Sequence, residues 1–230
     1  MASIVENIQR TLTRIREAED HAGRAPGSVK LLAVSKTRSP DEVREAHSAG
    51  LRAFGENYLQ DAMTKVEALA DLTLEWHFIG PLQSNKTRAV ASHFDWVHSV
   101  DRLKIAQRLS DQRAPERAPL NLCIQVNISA EGSKSGVAAD EVYALAQQIL
   151  PLPNVALRGL MAIPAADLSE AEQHQAFARM QRLLEQIQPL SPGIDTLSMG
   201  MSDDLEAAVA EGATMVRIGT ALFGPRRPLN

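Results

Sequence analysis

The stretch Val29-Lys30-Leu31-Leu32-Ala33-Val34-Ser35-Lys36 runs directly into the turn Thr37-Arg38-Ser39-Pro40. A short segment made mostly of Val, Leu and Ala reads as a strand buried on both faces, the pattern of a parallel sheet. The residues Ser39-Pro40-Asp41-Glu42 then read as a helix start, with a capping hydroxyl, a proline in the first turn and two acids. Lys36 is therefore placed at the carboxyl end of a strand. Taken alone, the segment is a strand followed by a surface lysine; the rest of the chain is what gives that lysine weight.

Outward from this point, short apolar runs alternate with helical patterns. Candidate strands fall at 29–35, 52–54, 75–79, 95–98, 120–127, 155–161, 194–198 and 214–218, with helices near 39–49, 57–69, 84–92, 101–112, 138–149, 169–187 and 202–211 and a last turn near 219–222. Parallel neighbours need a crossover connection, so strict alternation implies a parallel sheet. Eight units fit a closed (β/α)8 barrel of TIM type, an α/β fold; an open doubly wound sheet is the alternative. An amphipathic helix over 2–22, with Ile4, Ile8, Leu12 and Ile15 on successive turns and Gly23 as its stop, precedes the first strand and is expected to cover one end. Pro115 to Pro119, Pro151 to Pro153 and Pro189 to Pro192 punctuate units. A single domain is expected over 1–230, with the barrel at about 29–225.

The chain has 230 residues, 44% hydrophobic and 23% charged, as is ordinary for a globular protein. Its apolar runs are too short to span a bilayer, so no membrane is expected as a partner. The N-terminus lacks the basic start and apolar block of a signal peptide, and one cysteine makes no internal disulfide, so a cytoplasmic location is expected. A net charge of -4, two Trp, two Tyr and five Phe supply neither the basic patch nor the stacking platforms of a nucleic-acid binder. The spacing of His, Cys and acids suggests no metal site.

In a barrel the active face is built from the loops that follow the strands. Those positions hold Lys36 after strand 1, Gly55-Glu56-Asn57-Tyr58 after strand 2, Gly80-Pro81-Leu82-Gln83-Ser84-Asn85-Lys86 after strand 3, Met161-Ala162-Ile163-Pro164 after strand 6, Ser198-Met199-Gly200-Met201-Ser202-Asp203-Asp204 after strand 7 and Arg217-Ile218-Gly219-Thr220 on strand 8. Phosphate sites in such barrels use the loops after strands 7 and 8. Gly200 lets the backbone come close, Ser202 offers a hydroxyl, and Gly219-Thr220 opens the final helix with unbonded amides. The plainer reading of Ser202 is a helix N-cap.

Closure would put strand 8 about 4.8 Å from strand 1 and strand 7 about 10 Å away, so Lys36 would face this cup across a small-molecule distance. A cofactor with an aldehyde at one side and a phosphate at the other fits, and pyridoxal 5'-phosphate is such a molecule. Its Schiff base requires a neutral amine. Arg217 would meet the pyridine nitrogen, an always-charged donor that keeps the nitrogen unprotonated; the alternative is a rim ion pair with Glu206 or Asp203. His77 beside Trp76 reads as a satisfied core imidazole and Cys123 as a small buried apolar residue. Of Met199 and Met201, one is expected to fill the barrel and the other to touch ligand. Lys134 is a solvated loop lysine or a secondary attractor of phosphate.

The segments Leu31-Leu32-Ala33-Val34-Ser35-Lys36-Thr37, Phe54-Gly55-Glu56-Asn57-Tyr58, His77-Phe78-Ile79-Gly80-Pro81-Leu82-Gln83-Ser84-Asn85-Lys86, Lys134-Ser135-Gly136, Arg158-Gly159-Leu160-Met161, Leu197-Ser198-Met199-Gly200-Met201-Ser202-Asp203-Asp204 and Val216-Arg217-Ile218-Gly219-Thr220 together resemble the pyridoxal phosphate homeostasis protein family, across nearly the whole chain and in order. That family is similar in fold to the barrel domain of alanine racemase. The resemblance implies pyridoxal 5'-phosphate held covalently on Lys36, a phosphate held by Ser202, Gly219 and Thr220, Arg217 facing the ring nitrogen, and Asn57, Met161 and Met201 lining the ring.

Racemases of this relationship pair the cofactor lysine with a tyrosine from an additional β domain. Here Tyr58 and Tyr143 lie in the barrel pattern itself, and the chain ends at Asn230. Cofactor buffering or delivery to apo-enzymes, by a monomer, is the expectation, with no catalytic residue assigned. A slow amino-acid racemase or decarboxylase, using Tyr58 or His77 as acid, is the alternative, and a Schiff-base aldolase acting on phosphosugars is a third reading that needs no Arg217.

Overall fold

The computed structural model describes residues 3–129, 135–165 and 167–225. Eight strands, β1 (Lys30–Val34), β2 (Ala53–Glu56), β3 (Glu75–Phe78), β4 (Trp96–Val100), β5 (Leu120–Gln125), β6 (Val155–Met161), β7 (Thr196–Ser198) and β8 (Met215–Ile218), pair in sequence order and close into a barrel. Every neighbouring pair is parallel, including β8 with β1, where Leu32 lies opposite Arg217 and Ala33 opposite Ile218. The open-sheet alternative is thereby excluded. The helices are α1 (Ile4–His21), α2 (Pro40–Ser48), α3 (Leu59–Ala68), α4 (Thr87–His93), α5 (Leu103–Gln112), α6 (Val142–Ile149), α7 (Glu170–Ile187), α8 (Leu205–Ala210) and α9 (Thr220–Phe223). Lys134 lies outside the described residues.

Local chemistry accounts for the clearest helix starts. Ser3 with Glu6, Ser39 with Glu42 and Ser169 with Glu172 form reciprocal capping boxes that satisfy otherwise unbonded first-turn amides. Three expectations need correction. First, α1 does not cover a barrel end. It lies along the flank against α2, α8 and α9, its Asn7 Nδ2 donating to the Leu222 carbonyl at 2.9 Å and its buried Glu19 accepting from the Val29 amide at 2.7 Å. The buried stripe of Ile8 and Ile15 packs into the large outer apolar shell among these helices. Second, β2 continues to Glu56, which pairs with Phe78. Third, α8 starts at Leu205, with Asp204 and not Ser202 at its N-cap. Asp204 Oδ1 accepts from the Met201 amide at 2.5 Å, closing a turn over 201–204 that delays the helix.

Alternation along each strand separates two cores. Leu31, Ala33, Phe54, Phe78 and Val97 face the helices and belong to one large apolar shell, which also contains Met199. Inside the barrel, Leu32, Ala53 and Met215 pack with Ile79, and Trp96 packs with Cys123 and Met161. Met199 thus packs outside the barrel wall and does not fill its interior. Burial raises the Cys123 thiol to about 12, which makes it an inert apolar filler, as expected.

Among these apolar groups the interior also holds His77 and His98, both fully buried, with Ser198 and Arg217. Burial pushes both imidazoles below their usual range, opposed at His77 by Glu75 and reinforced at His98 by the neighbouring His77 and the Arg217 guanidinium, which disfavour a second positive charge there. A histidine depressed in the folded state is stable as neutral imidazole above its unfolded pKa near 6.5, and stability is lost as pH falls below that value because the unfolded chain binds the proton more readily. Urea unfolding at pH 7.5, 6.5 and 5.5 should show stability falling in the acid direction, with a limiting slope of about 1.4 kcal/mol per pH unit for each histidine. A flat profile over that range would contradict neutral buried imidazoles.

Candidate functional site

At the carboxyl ends of the strands a cavity of about 560 Å³ is lined by Lys36, Asn57, Met201, Ser202, Arg217, Gly219 and Thr220, seven of the eight residues singled out from the sequence. Val34, Arg38, Ile79, Ile163, Asp203 and Ala221 complete the lining. The eighth residue, Met161, is absent from it. Its side chain is fully buried with Trp96 and Cys123 inside the barrel, because the strand's pleat turns it inward one position before the chain leaves the sheet. A groove of about 830 Å³ lined by Asn127, Ile128, Gly136, residues 138–141 and α7 is larger, but its charged lining of Arg179, Arg182, Asp140 and Glu141 is balanced in sign and, among the described residues, contains no amine from a strand end. The chemistry of the smaller cavity is the more directed.

Lys36 is half-buried, and the backbone on both sides of it is clamped. Lys65, on α3 and 1% exposed, donates to the Ser35 carbonyl at 2.7 Å, to Glu56 Oε1 at 2.8 Å and to Asp61 Oδ2 at 2.9 Å. Ser35 Oγ donates to the same Glu56 oxygen at 2.6 Å. Asp61 Oδ2 also accepts from the amide of Thr37, which has φ 64°. A left-handed threonine is strained, and the Asp61 carboxylate holds the chain there. Burial pushes the Glu56 carboxyl upward, opposed by the charge and hydrogen bond of Lys65 and by the Ser35 hydroxyl. The cluster was not recognised from sequence, although the buried stripe Ala62, Lys65 and Leu69 carried its signal: a lysine on the apolar side of a helix, one turn after Asp61.

Arg217 is 5% exposed and forms the cavity floor. It donates to Ser198 Oγ at 2.9 Å and to the Ala162 carbonyl at 2.8 Å. The rim ion pair considered for it is not formed: Glu206 pairs with Arg14 on α1 instead. Burial lowers the guanidinium to about 10, which leaves it cationic at neutral pH. Arg38 is 6% exposed and donates to the Gly224 and Pro225 carbonyls, tying the β1 turn to the segment after α9.

The loop after β7 is shaped by Gly200, whose φ is 95° and whose absent Cβ would come 2.5 Å from Ala208 Cβ. This glycine allows the close packing of α8. Ser202, displaced from the capping role, presents a half-buried hydroxyl to the cavity, while its carbonyl accepts from Arg14 at 2.7 Å. Across from it, Gly219 and Thr220 begin α9, where first-turn amides have no partner within the helix. Asn57 Oδ1 is buried in the cavity wall and without a hydrogen-bond partner. An unpaired buried acceptor beside a buried cation, an amine and a hydroxyl–amide cup suits a flat polar ligand carrying an aldehyde, a hydroxyl and a phosphate. The residues present therefore fit pyridoxal 5'-phosphate.

Residues 7–227 match the family described as "Alanine racemase, N-terminal domain". The fold and the strand-end lysine accordingly define a barrel of that class. The chain is similar to a Pseudomonas aeruginosa protein named "Pyridoxal phosphate homeostasis protein", with 64% identity over 98% of this chain and 97% of that relative. It is similar to PipY of Synechococcus elongatus in a structure with PLP bound, at a TM-score of 0.83 and 38% identity, covering 96% of this chain and 100% of that one. An alanine racemase from Corynebacterium glutamicum shares the fold at a TM-score of 0.72 and 18% identity, covering 96% of this chain and 61% of the racemase. The chain belongs to the pyridoxal phosphate homeostasis protein family.

The clamp around Lys36 yields a direct test. Lys65→Met leaves Glu56 buried without its counter-charge and should destabilise the protein by about 3–5 kcal/mol. A thermal melt should then drop by about 10 °C for a chain of this size. Pairing it with Glu56→Leu should recover most of the loss; an additive double variant would refute the clamp.

Proposed function

We propose that this protein binds pyridoxal 5'-phosphate covalently at Lys36 and serves its homeostasis by holding the cofactor and releasing it to apo-enzymes. The observation that carries this reading is the convergence of Lys36, Arg217 and the Ser202, Gly219 and Thr220 cup on one 560 Å³ cavity at the strand ends. The family's name and the PLP-bound relative support it. When bound, the cofactor supplies an aldehyde that condenses with an amine, with loss of water.

Within the cavity each residue of this chain has a defined task. Lys36 Nζ is the amine, directed by the clamped turn on either side of it. Arg217 presents guanidinium N–H groups to the ring nitrogen; because it stays charged, it does not hand over a proton there. Asn57 Oδ1 accepts from the ring hydroxyl. Ser202 Oγ and the amides at Gly219 and Thr220 hold the phosphate. Met201, 39% exposed, covers the ring edge, and the cavity opens beside it.

Delivery is favoured over turnover by where the candidate acids lie. Tyr58 is 58% exposed and does not line the cavity, and His77 is fully buried beneath it, bonded to Glu75 and His98. Among the described residues no helix is long and apolar enough to cross a membrane. The reading includes a monomer working in the cytoplasm.

Borohydride reduction of the cofactor-loaded protein followed by peptide mass spectrometry should place the label on Lys36, and Lys36→Ala should abolish it. Label at another lysine would overturn the assignment. Mixed with an apo-aminotransferase, the loaded protein should restore activity above an equal concentration of free cofactor in the presence of a cofactor scavenger. No advantage over free cofactor would count against delivery.

A further inference from the structure

Four side chains below the cavity make a continuous hydrogen-bonded line through the barrel. Arg217 on β8 donates to Ser198 Oγ on β7 at 2.9 Å; Ser198 Oγ lies 2.8 Å from His98 Nδ1 on β4. His98 Nε2 lies 2.9 Å from His77 Nδ1 on β3, and His77 Nε2 lies 2.5 Å from Glu75 Oε1 at the opposite rim. Lys30 Nζ closes the far end on the same carboxylate oxygen at 2.5 Å. The His77 ring is stacked on Trp96 with 8° between planes and 5.3 Å between centroids, so its orientation is set.

The two ends decide the direction of every bond between them. A guanidinium only donates, so Ser198 Oγ accepts from Arg217 and keeps its own proton available for His98 Nδ1, a direction that the carboxylate at the other end requires. His98 must then carry its proton on Nε2 and donate to His77 Nδ1, and His77 must carry its proton on Nε2 and donate to Glu75. That end accepts because Glu75, although burial opposes its charge, is held at about 2 by His77 and Lys30 and is a carboxylate at neutral pH. The reverse direction would set an imidazole lone pair against that carboxylate. Both imidazoles are consequently neutral Nε2–H tautomers, and each link polarises the next.

We propose that Glu75, His77, His98 and Ser198 form a one-directional relay that orients Arg217 and couples the floor of the cavity to the far rim of the barrel, making Ser198 and His98 positioning residues. The relay rests on the cofactor reading only for its consequence at the ring; its existence is independent of any ligand. Arg217 has two anchors, Ser198 and the Ala162 carbonyl, and loss of the first leaves its plane held from one side only.

Nitrogen-15 NMR of imidazole-labelled protein without added cofactor should show His77 and His98 as neutral Nε2–H tautomers at pH 7. An imidazolium or an Nδ1–H tautomer at either would overturn the relay. With pyridoxal 5'-phosphate as the probe, Ser198→Ala should weaken binding about tenfold or more, as expected on losing a hydrogen bond to a charged group, and shift the absorption maximum of the bound cofactor. Ser198→Thr, which keeps the hydroxyl, should restore both. Glu75→Gln, remote from the cavity, should also shift the maximum. Unchanged affinity and absorption in folded Ser198→Ala protein, or no spectral response to Glu75→Gln, would refute the coupling. If the wild-type protein binds no cofactor at all, the functional reading fails, while the tautomers still decide the relay.

Discussion

The pairing of β8 with β1 is the contact through which the site exists. Ladder hydrogen bonds from Lys30 opposite Met215 to Ala33 opposite Ile218 bring together strands that lie nearly the whole chain apart. Closure removes both sheet edges, and it also sets Lys36 beside Gly219, whose missing Cβ would stand 3.2 Å from the Val34 carbonyl oxygen. An open sheet made from the same strands would leave β1 and β8 unpaired, with the amine and the amides of α9 no longer facing one cavity. The flank helix α1 secures this seam from outside through Asn7, which donates to the Leu222 carbonyl after β8, and Glu19, which accepts from the Val29 amide before β1, while Arg14 reaches the Ser202 carbonyl in the loop after β7.

Two sets of buried charges occupy a region that simple hydrophobic packing would fill more cheaply. Lys65 with Glu56 and Asp61 sits between β2 and α3, and Arg217 heads a polar line across the interior. Buried pairs of this kind add little net stability, since desolvation offsets their attraction, but removing one partner is severe. Their effect here is geometric. Lys65 determines where the chain on either side of Lys36 can be, and Ser198 with Ala162 determines where Arg217 can point. A ligand entering the cavity meets groups already oriented, so less ordering is required on binding.

Much of this was legible beforehand because strand and helix periods differ and because barrels place chemistry at strand ends. Lys36, Ser202, Arg217, Gly219 and Thr220, singled out by that rule, line one cavity, as do Asn57 and Met201, which the resemblance added. Met161, which the resemblance also set at the ring, packs with Trp96 and Cys123 inside the barrel and does not line the cavity. Ser202 looked like a cap, and only the Asp204 bond to the Met201 amide shows why the helix begins later. His77 is a satisfied core group, as its sequence position suggests, but its bonds to Glu75 and to His98 on the next strand, and the further bond from His98 to Ser198 on β7, are not contained in that position.

Alternation of apolar runs and helical stripes, by itself, determined eight α/β units with a parallel sheet and a strand-end lysine, because those properties are local and repeat along the chain, while closure into a barrel came from the pairing of β8 with β1. Tertiary structure alone decided which polar residues meet: Lys65 with Glu56, His98 with Ser198, Arg217 with the floor of the cavity. His98 with Ser198 and Arg217 with the Ala162 carbonyl join residues far apart in the chain, and even Lys65 with Glu56, on consecutive elements, depends on the direction of a side chain in space, which a linear pattern of residue types does not contain.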